Sequence, residues 1–352
     1  MSFKFRKIAV LFTVAVLVLM SAATAQPSKA QDNSGFKLAD RIAQKVKSGQ
    51  KLTFRVSYHD VSNEFAPEIK AGVEQAAKAF NVDVTLVGPV GAKAEDQVAE
   101  LENLIANNVD GLAVSSVSTD ALAPVLNKAL AAGIPVVTFN TDNPSSKRLG
   151  FVGQDLIESG RAAGKLMGDT LGGKGSVIIT TLDASAQWSL DREKGAREAL
   201  AKFPDIKIVT TVNTGTEPQA IYAAIENAML ANPTVTGIVS LECCSTPAAG
   251  EFVKRNNLTG KVKIVGFDLL PTTLQLVKDG VIEKTIGQGP QKQGYGAVQL
   301  LVDAVNGRAV KGIDTGAEVV DKSNVDAKLQ PATPAATMSA TMVATMAATA
   351  SK

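Results

Sequence analysis

Histidine occurs once in the 352 residues, as His59, and cysteine twice, as the neighbours Cys243 and Cys244. A lone histidine excludes most imidazole catalysis and most metal centres, which need a partner or several ligands. A zinc site on the cysteine pair would lack its other ligands. A thioredoxin-type redox motif needs two residues between its cysteines. No G-x-S-x-G motif and no serine–histidine–aspartate set occurs. "GDTLGGKGS" from Gly168 comes near a P-loop, but Gly175 stands where serine or threonine is required. It also precedes a strand-like run, where a P-loop follows one, so it reads as a helix-ending turn. Carboxylates are plentiful, so counting alone does not exclude a two-carboxylate hydrolase, but nothing supports one. Charge of one sign is missing too. The formal net charge is +2 and no basic stripe is present, so no nucleic acid is expected as a partner. Heptads are absent, and the chain is expected to be a monomer. No metal, no cofactor and no enzymatic activity are expected.

What is present suits a globular protein with room for two domains: 45% of the residues are hydrophobic and 20% are charged. The first residues stand apart. Lys4, Arg6 and Lys7 precede an apolar run from Ile8 to Met20, and Ala23-Thr24-Ala25 follows. A basic start, a short apolar stretch and a small-x-small end read as a secretory signal peptide. The cut is expected after Ala25 or Ala30. Cutting after Ala25 removes three positive charges and no negative ones, taking the net charge from +2 to −1. No cysteine follows the apolar run, so no lipid anchor is signalled. The simplest destination is a bacterial periplasm. At the other end, "PATPAATMSATMVATMAATASK" from Pro331 is low complexity, with three Thr-Met pairs and no charge before Lys352. It reads as a loosely attached tail. A membrane-touching helix would want a basic polar face, which this segment lacks.

Between those ends a rhythm repeats. "KLTFRVSYH" precedes "EFAPEIKAGVEQAAKAF", "VDVTLVGP" precedes "AEDQVAELENLIANN", and "DGLAVSSV" precedes "TDALAPVLNKALAAG". "IPVVTFN" ends the set at Asn140. The short runs are apolar on successive residues, as in strands covered on both faces. The longer ones carry three-and-four spacing, as at Val98, Leu101 and Ile105. The rhythm restarts with a helix from about Leu156 to Leu171, then "KGSVIITT", "DREKGAREALAKF", "IKIVTTVN", "QAIYAAIENAMLAN", "TGIVSLE", "TPAAGEFVKRNN" and "VKIVGFD". Such alternation predicts an α/β protein with two doubly wound, parallel-sheet lobes.

Ligands of such sheets sit beyond the carboxyl ends of the strands. Those ends carry His59, Asp60, Asn63 and Phe65; Ser115 and Ser116; Asn140, Thr141 and Asp142; Asp183, Gln187, Trp188, Asp191 and Arg192; Glu242, Cys243 and Cys244; and Asp268. Amides, hydroxyls, carboxylates, one arginine and aromatics alternate without a cluster of one sign. That mixture suits a small neutral sugar or polyol, whose hydroxyls both donate and accept and whose C–H faces pack on aromatic rings. Polar strand ends also occur simply because loops lie at the surface. Single residues are therefore ambiguous, and His59 reads either as a ligand contact or as a surface residue.

The region from about Leu52 to Val325 resembles the periplasmic sugar-binding proteins of ABC importers, of the ribose type and its autoinducer-2-binding relatives. "NEFAPEIKAGVEQAAKAF" is similar to the family's first helix. "NNVDGLAVSSVSTDALAPVLNKALAAGIPVVTFNTD" is similar to its third and fourth strands. "GFVGQD", "IVGFDLLP" and "EKTIGQGPQKQGYGA" are similar to later stretches near the hinge and ligand. The resemblance implies the type I fold: two doubly wound parallel-sheet lobes joined by a three-stranded hinge, closing like a clam. The expected division is a first lobe of 51–153 plus 289–317 and a second of 154–288 plus 318–326. A signal peptide (1–25) and a linker (26–50) precede them, and a tail (327–352) follows. Crossings are expected near Gly153–Asp155, Asp268–Pro271 and Gln288–Gln291. The resemblance implies ligand contacts from Asn63, Phe65, Ser115, Asn140, Arg192, Asp268 and Gln288, and places Glu242 and Cys243 at a polar pair. Ser116, Asp142 and Trp188 join them from the strand-end reading. Two departures separate this chain from the ribose pattern: "NTD" replaces an aspartate–arginine pair, and Ala66 replaces a second aromatic.

The implied function is capture of a monosaccharide or related polyol and delivery to an ABC-type permease. A binding protein for a sugar-like signal, or one that serves a sensor, would share fold and pocket. An exported carbohydrate-acting enzyme is the weakest reading. In an oxidising compartment Cys243 and Cys244 tend to pair, giving a vicinal disulfide in the pocket wall. The alternative is two buried thiols serving as small hydrophobes.

Overall fold

The computed structural model describes residues 35–329. The expected signal peptide and the tail beyond 329 lie outside the described residues. Along the chain run α1 (Asp40–Ser48), β1 (Thr53–Ser57), α2 (Ala66–Phe80), β2 (Asp83–Val87), α3 (Ala94–Ala106), β3 (Gly111–Val114), α4 (Thr119–Ala131), β4 (Val136–Phe139) and β5 (Phe151–Gly153). Then come α5 (Leu156–Thr170), β6 (Lys174–Thr181), α6 (Gln187–Leu200), β7 (Asp205–Asn213), α7 (Pro218–Ala231), β8 (Gly237–Ser240), α8 (Ser245–Arg255), β9 (Lys263–Phe267), α9 (Pro271–Lys278) and β10 (Lys284–Gly287). The chain ends with α10 (Pro290–Val305), β11 (Ile313–Asp314), β12 (Glu318–Asp321) and α11 (Asp326–Leu329).

Two six-stranded sheets result, ordered β11-β5-β4-β3-β1-β2 and β12-β10-β9-β8-β6-β7. Every pairing is parallel except β10 with β12, which runs antiparallel at the edge of the second sheet. The central strands β3, β4 and β8 are buried at every residue, because helices cover both faces. Their unbroken apolar runs follow from that double burial. Among the described residues no helix is long and apolar enough to cross a membrane.

The chain passes between the sheets at Gly153–Leu156, at Gly287–Pro290 and at Asp314–Glu318. The crossing expected at Asp268–Pro271 is corrected: that stretch joins β9 to α9 within the second lobe. The third passage runs between β11 and β12, which have two and four residues. Strands that short leave almost no hydropathy pattern to read. The linker expected over 26–50 also needs correction, since its second half forms α1. Ile42 is fully buried there, and Arg41 and Lys45 donate to the buried carboxylate of Asp110 at 2.6 and 2.7 Å. A charge pairing across the sequence and an apolar face of Ala39, Ile42 and Val46 together dock this helix.

Each lobe brings two helices unusually close. In α5, Gly160 and Gly164 lie one turn apart on the face that meets α6. A Cβ on Gly160 would stand 2.1 Å from the carbonyl oxygen of Arg192, and one on Gly195 would stand 1.9 Å from that of Ile157. The backbones therefore touch where Arg192 leaves α6. In the first lobe Gly72 of α2 and Gly294 of α10 play the same part, against Gln291 and Ile69. Gly195→Ala is expected to push α6 away from α5 and cost about 1–3 kcal/mol, the usual range for overpacking. A urea melt of the variant checks this; a midpoint equal to the parent's would show that the helices have room to spare.

Candidate functional site

The carboxyl ends of both sheets converge on one cavity between the lobes. From the first lobe come Tyr58, His59, Asp60, Asn63 and Phe65 after β1, and Asn140 and Thr141 after β4. From the second come Trp188 and Arg192 on α6, Glu242 and Cys243 after β8, Asp268 after β9 and Gln288 after β10. The free space left among these side chains is about 30 Å³. A wider recess of about 310 Å³ adjoins it, with Asp60, Asn63, Leu182 and Thr216 lining both. Cys243 faces the cavity and Cys244 faces that recess.

Local geometry at two strand ends is strained in a useful way. Asn140 has φ 57° and Asp268 has φ 73°, the left-handed region that non-glycine residues seldom adopt. The reversal ends each strand abruptly and turns its side chain toward the cleft. Asparagine and aspartate tolerate this better than other residues.

Among the described residues Arg192 is the only cation lining the cavity, and it is buried. Its Nη1 donates to the Leu241 carbonyl at 2.9 Å and its Nη2 to Gln288 Oε1 at 2.6 Å. The guanidinium lies 4.4 Å from the centre of the Phe267 ring. Its Nε–H is buried with no hydrogen-bond partner among the described residues. An orphaned buried donor is costly, so it marks a position for an acceptor. Two carboxylates stand nearby. Burial pushes Asp268 up to about 6, against the opposing pull of Arg192 and of Gln288, which donates to it at 2.7 Å. Burial pushes Glu242 up to about 7, although Arg192, Ser189, Thr181 and the Leu182 amide all favour its charged form.

His59 stacks on Trp188 across the cleft, with ring centres 4.1 Å apart and planes 18° apart. This contact joins first lobe to second inside the site. Burial, and after it the charge of Arg192, hold the imidazole down to about 3, so the ring is neutral at pH 7. Ser115 Oγ gives its one proton to Asn140 Oδ1 at 3.2 Å. The 2.8 Å contact between His59 Nδ1 and Ser115 Oγ therefore has Nδ1–H as donor. The other nitrogen, Nε2, is left as an acceptor.

Of the residues expected at the site, the structure gathers Asn63, Phe65, Asn140, Trp188, Arg192, Glu242, Cys243, Asp268 and Gln288 around the cavity. Three are placed elsewhere. Ser115 is fully buried behind His59 and Asn140 and orients both. Ser116 is fully buried and accepts from Asn143 Nδ2 at 3.3 Å. Asp142 turns away because it pairs with Arg148 and accepts from Thr138 Oγ1 at 2.5 Å; it lines a separate recess with Asp191. Tyr58, Leu156, Leu182 and Thr216 line the cavity without an expectation from sequence. Tyr58 carried a signal, as the residue beside His59 at a strand end. Leu156 enters from the first turn of α5, and Leu182 and Thr216 from loops, at positions that only the tertiary fold sets.

Cys243 and Cys244 are two unbonded thiols, their Sγ atoms 2.8 Å apart. The hydrogen bond from Cys244, and after it burial, hold the Cys243 thiol well above the usual thiol range. Among the described residues no cluster of histidine, cysteine and carboxylate could hold a metal. The cavity instead offers acceptors (His59 Nε2, Asp268), a donor (Arg192 Nε) and apolar ring faces (Phe65, Trp188). That set holds a molecule by hydrogen bonds and ring contacts.

Residues 54–309 match the family described as the periplasmic binding protein domain. The chain is 29% identical over 283 residues to the xylitol-binding protein of Mycolicibacterium smegmatis, covering 78% of each chain. It is 27% identical over 292 residues to the xylose/arabinose-binding protein XylF of Sulfolobus acidocaldarius, covering 77% of this chain and 71% of that one. A solute-binding protein of an ABC transporter from Burkholderia graminis, solved in complex with D-arabinose, superposes with a TM-score of 0.75 at 31% identity, over 78% of this chain and 96% of that one. These relatives are substrate-binding proteins. With its two α/β lobes and a cavity between them, the chain belongs to the periplasmic binding protein family, with the type I fold, and is a binding protein rather than an enzyme.

Proposed function

We propose that the protein captures a monosaccharide or related polyol between its lobes and delivers it to an ABC-type permease. The observation that carries this reading is the buried, unpartnered Nε of Arg192 in the wall of a cavity shared by both lobes. A ligand oxygen satisfies that donor, while hydroxyls donate to His59 Nε2 and Asp268. Phe65 and Trp188 pack on C–H faces of the ring. Asn63, Asn140, Glu242, Cys243 and Gln288 complete the contact set. The names of the relatives, which bind xylose, arabinose and xylitol, support the same ligand class. Because the ligand touches both lobes, it binds the closed arrangement more tightly than the open one, and closure follows. The N-terminal segment directs export and is cleaved, and the mature protein works in the periplasm as a monomer.

Calorimetry with D-ribose, D-xylose, D-arabinose, D-allose and xylitol tests the reading. One of them is expected to bind and to be recovered unchanged. Heat of binding from none of them, or a chemically altered sugar after incubation, would sink it.

In that oxidising compartment Cys243 and Cys244 close into a vicinal disulfide. Two thiols lose two protons and two electrons to a disulfide-donating oxidant, and a rigid apolar knuckle replaces the pair at the end of β8. Titration of free thiols on unreduced, denatured protein from the periplasm is expected to find none. Two reactive thiols per chain would rule the disulfide out.

A further inference from the structure

Gln293 lies in the first turn of α10, is fully buried and lines no part of the cavity. Its carboxamide is engaged at both ends. Asn140 Nδ2 donates to its Oε1 at 2.9 Å, and its Nε2 donates to the Gln288 carbonyl at 3.0 Å. Asn140 ends β4 in the first lobe. Gln288 ends β10 in the second, at the passage into α10. From there the hydrogen bonds continue to Arg192 and Asp268 through the Gln288 side chain. On the other side they continue from Asn140 to Ser115 and His59. A continuous polar chain thus joins the ligand-facing groups of both lobes, and Gln293 is the link beside the hinge.

We propose that Gln293 is a positioning residue: it couples the ligand-facing Asn140 to the angle of the hinge and so sets how long the lobes stay closed on a bound sugar. The ligand half of this statement rests on the sugar-binding reading above. Only Gly289, at φ 66°, separates Gln288 from the start of α10. Rotation of the second lobe about that glycine carries the Gln288 carbonyl away from Gln293 Nε2. The freed carboxamide then no longer holds the Asn140 side chain. Conversely, a hydroxyl bound to Asn140 steadies Gln293 and, through it, the closed hinge. A planar amide does this because its acceptor and donor are fixed relative to each other, and leaving either buried and unpaired is costly.

The test uses Gln293→Leu, which removes both bonds at similar size, and Gln293→Glu, which keeps an acceptor for Asn140 but sets an oxygen against the Gln288 carbonyl. Val298→Ala, in the buried face of the same helix, controls for general loosening. Trp188, the single tryptophan, reports closure directly. With whichever of D-ribose, D-xylose or xylitol binds the parent, both Gln293 variants are expected to dissociate at least about tenfold faster, with association changed far less. Asn140→Ala combined with Gln293→Leu is expected to weaken binding by clearly less than the product of the two single effects. Without sugar, acrylamide is expected to quench Trp188 more strongly in Gln293→Leu than in the parent, because the lobes part more often. If Gln293→Leu fails to fold, Gln293→Glu carries the same comparison. Dissociation and quenching within about twofold of the parent, or equal changes in Val298→Ala, overturn the proposal. If the parent binds none of the three sugars, the sugar reading fails, and the quenching comparison alone decides the role of Gln293.

Discussion

Arg192→Ala is expected to weaken sugar binding by at least about tenfold, the effect of losing one hydrogen bond to a charged group. The expectation starts from the unpaired Nε, which is the donor left over after Nη1 and Nη2 are committed to Leu241 and Gln288. Removing the guanidinium also takes the only cation from between Glu242 and Asp268. Both carboxyls then lose the largest of the interactions that oppose their burial, and both rise further above their present values of about 7 and about 6. Stability and affinity therefore both change in the alanine variant. Arg192→Lys separates them. It keeps the positive charge near the two carboxylates but has no Nε–H and no planar fork. If the Nε position is what the ligand reads, the lysine variant retains most of the folding stability and still binds at least several-fold more weakly. Calorimetric titration and a urea melt on the three proteins give both numbers. Unchanged affinity in Arg192→Ala would remove Arg192 from the site.

The sequence reading succeeded where one short segment carries its own physics. Apolar runs such as "DGLAVSSV" declare strands covered on both faces, and the rule that ligands lie beyond strand ends led directly to Asn140, Glu242 and Asp268. It stopped where position depends on a partner far along the chain. Ser115 and Ser116 follow a strand as regularly as Asn140 does, yet they sit beneath the cavity floor because His59, Asn140 and Asn143 already use their hydroxyls. Asp142 is drawn off by Arg148. Helix α1 carries a short apolar stripe, Ala39, Ile42 and Val46, but the partner that its Arg41 and Lys45 pair with, Asp110, lies far along the chain. Gln293 is a plain glutamine in a helix until the fold sets it between Asn140 and Gln288. In each case the deciding contact spans more residues than any local pattern does.

His59 yields the second large effect, in the pH dependence of stability. The buried, neutral ring has its pKa near 3, against an ordinary value of 6.5. The groups facing it are Tyr58 beside it, Ser115 from the end of β3, Trp188 across the cleft and the positive Arg192. Between those two values the unfolded chain holds a proton that the folded one refuses. Its contribution is thus full above pH 6.5 and is lost as the pH falls toward 3. Asp268 and Glu242 run the opposite way. Their folded values are raised, so their contribution is full below the unfolded carboxylate range and is lost as the pH rises through about 6 and about 7. In the parent protein these trends partly cancel between pH 4 and 6.5. Comparison with His59→Gln isolates the imidazole, because both carboxylates remain in the variant. At pH 7 the variant is expected to be the less stable, having lost the stack on Trp188. As the pH falls it should gain on the parent by roughly tenfold in folding constant per pH unit, across most of the interval from 6.5 to 3. Urea melts at pH 4, 5, 6 and 7 measure the gap. Parallel curves for the two proteins would mean that His59 takes up a proton in the folded state as readily as in the unfolded one, and that its ring does not present a neutral Nε2 to the ligand.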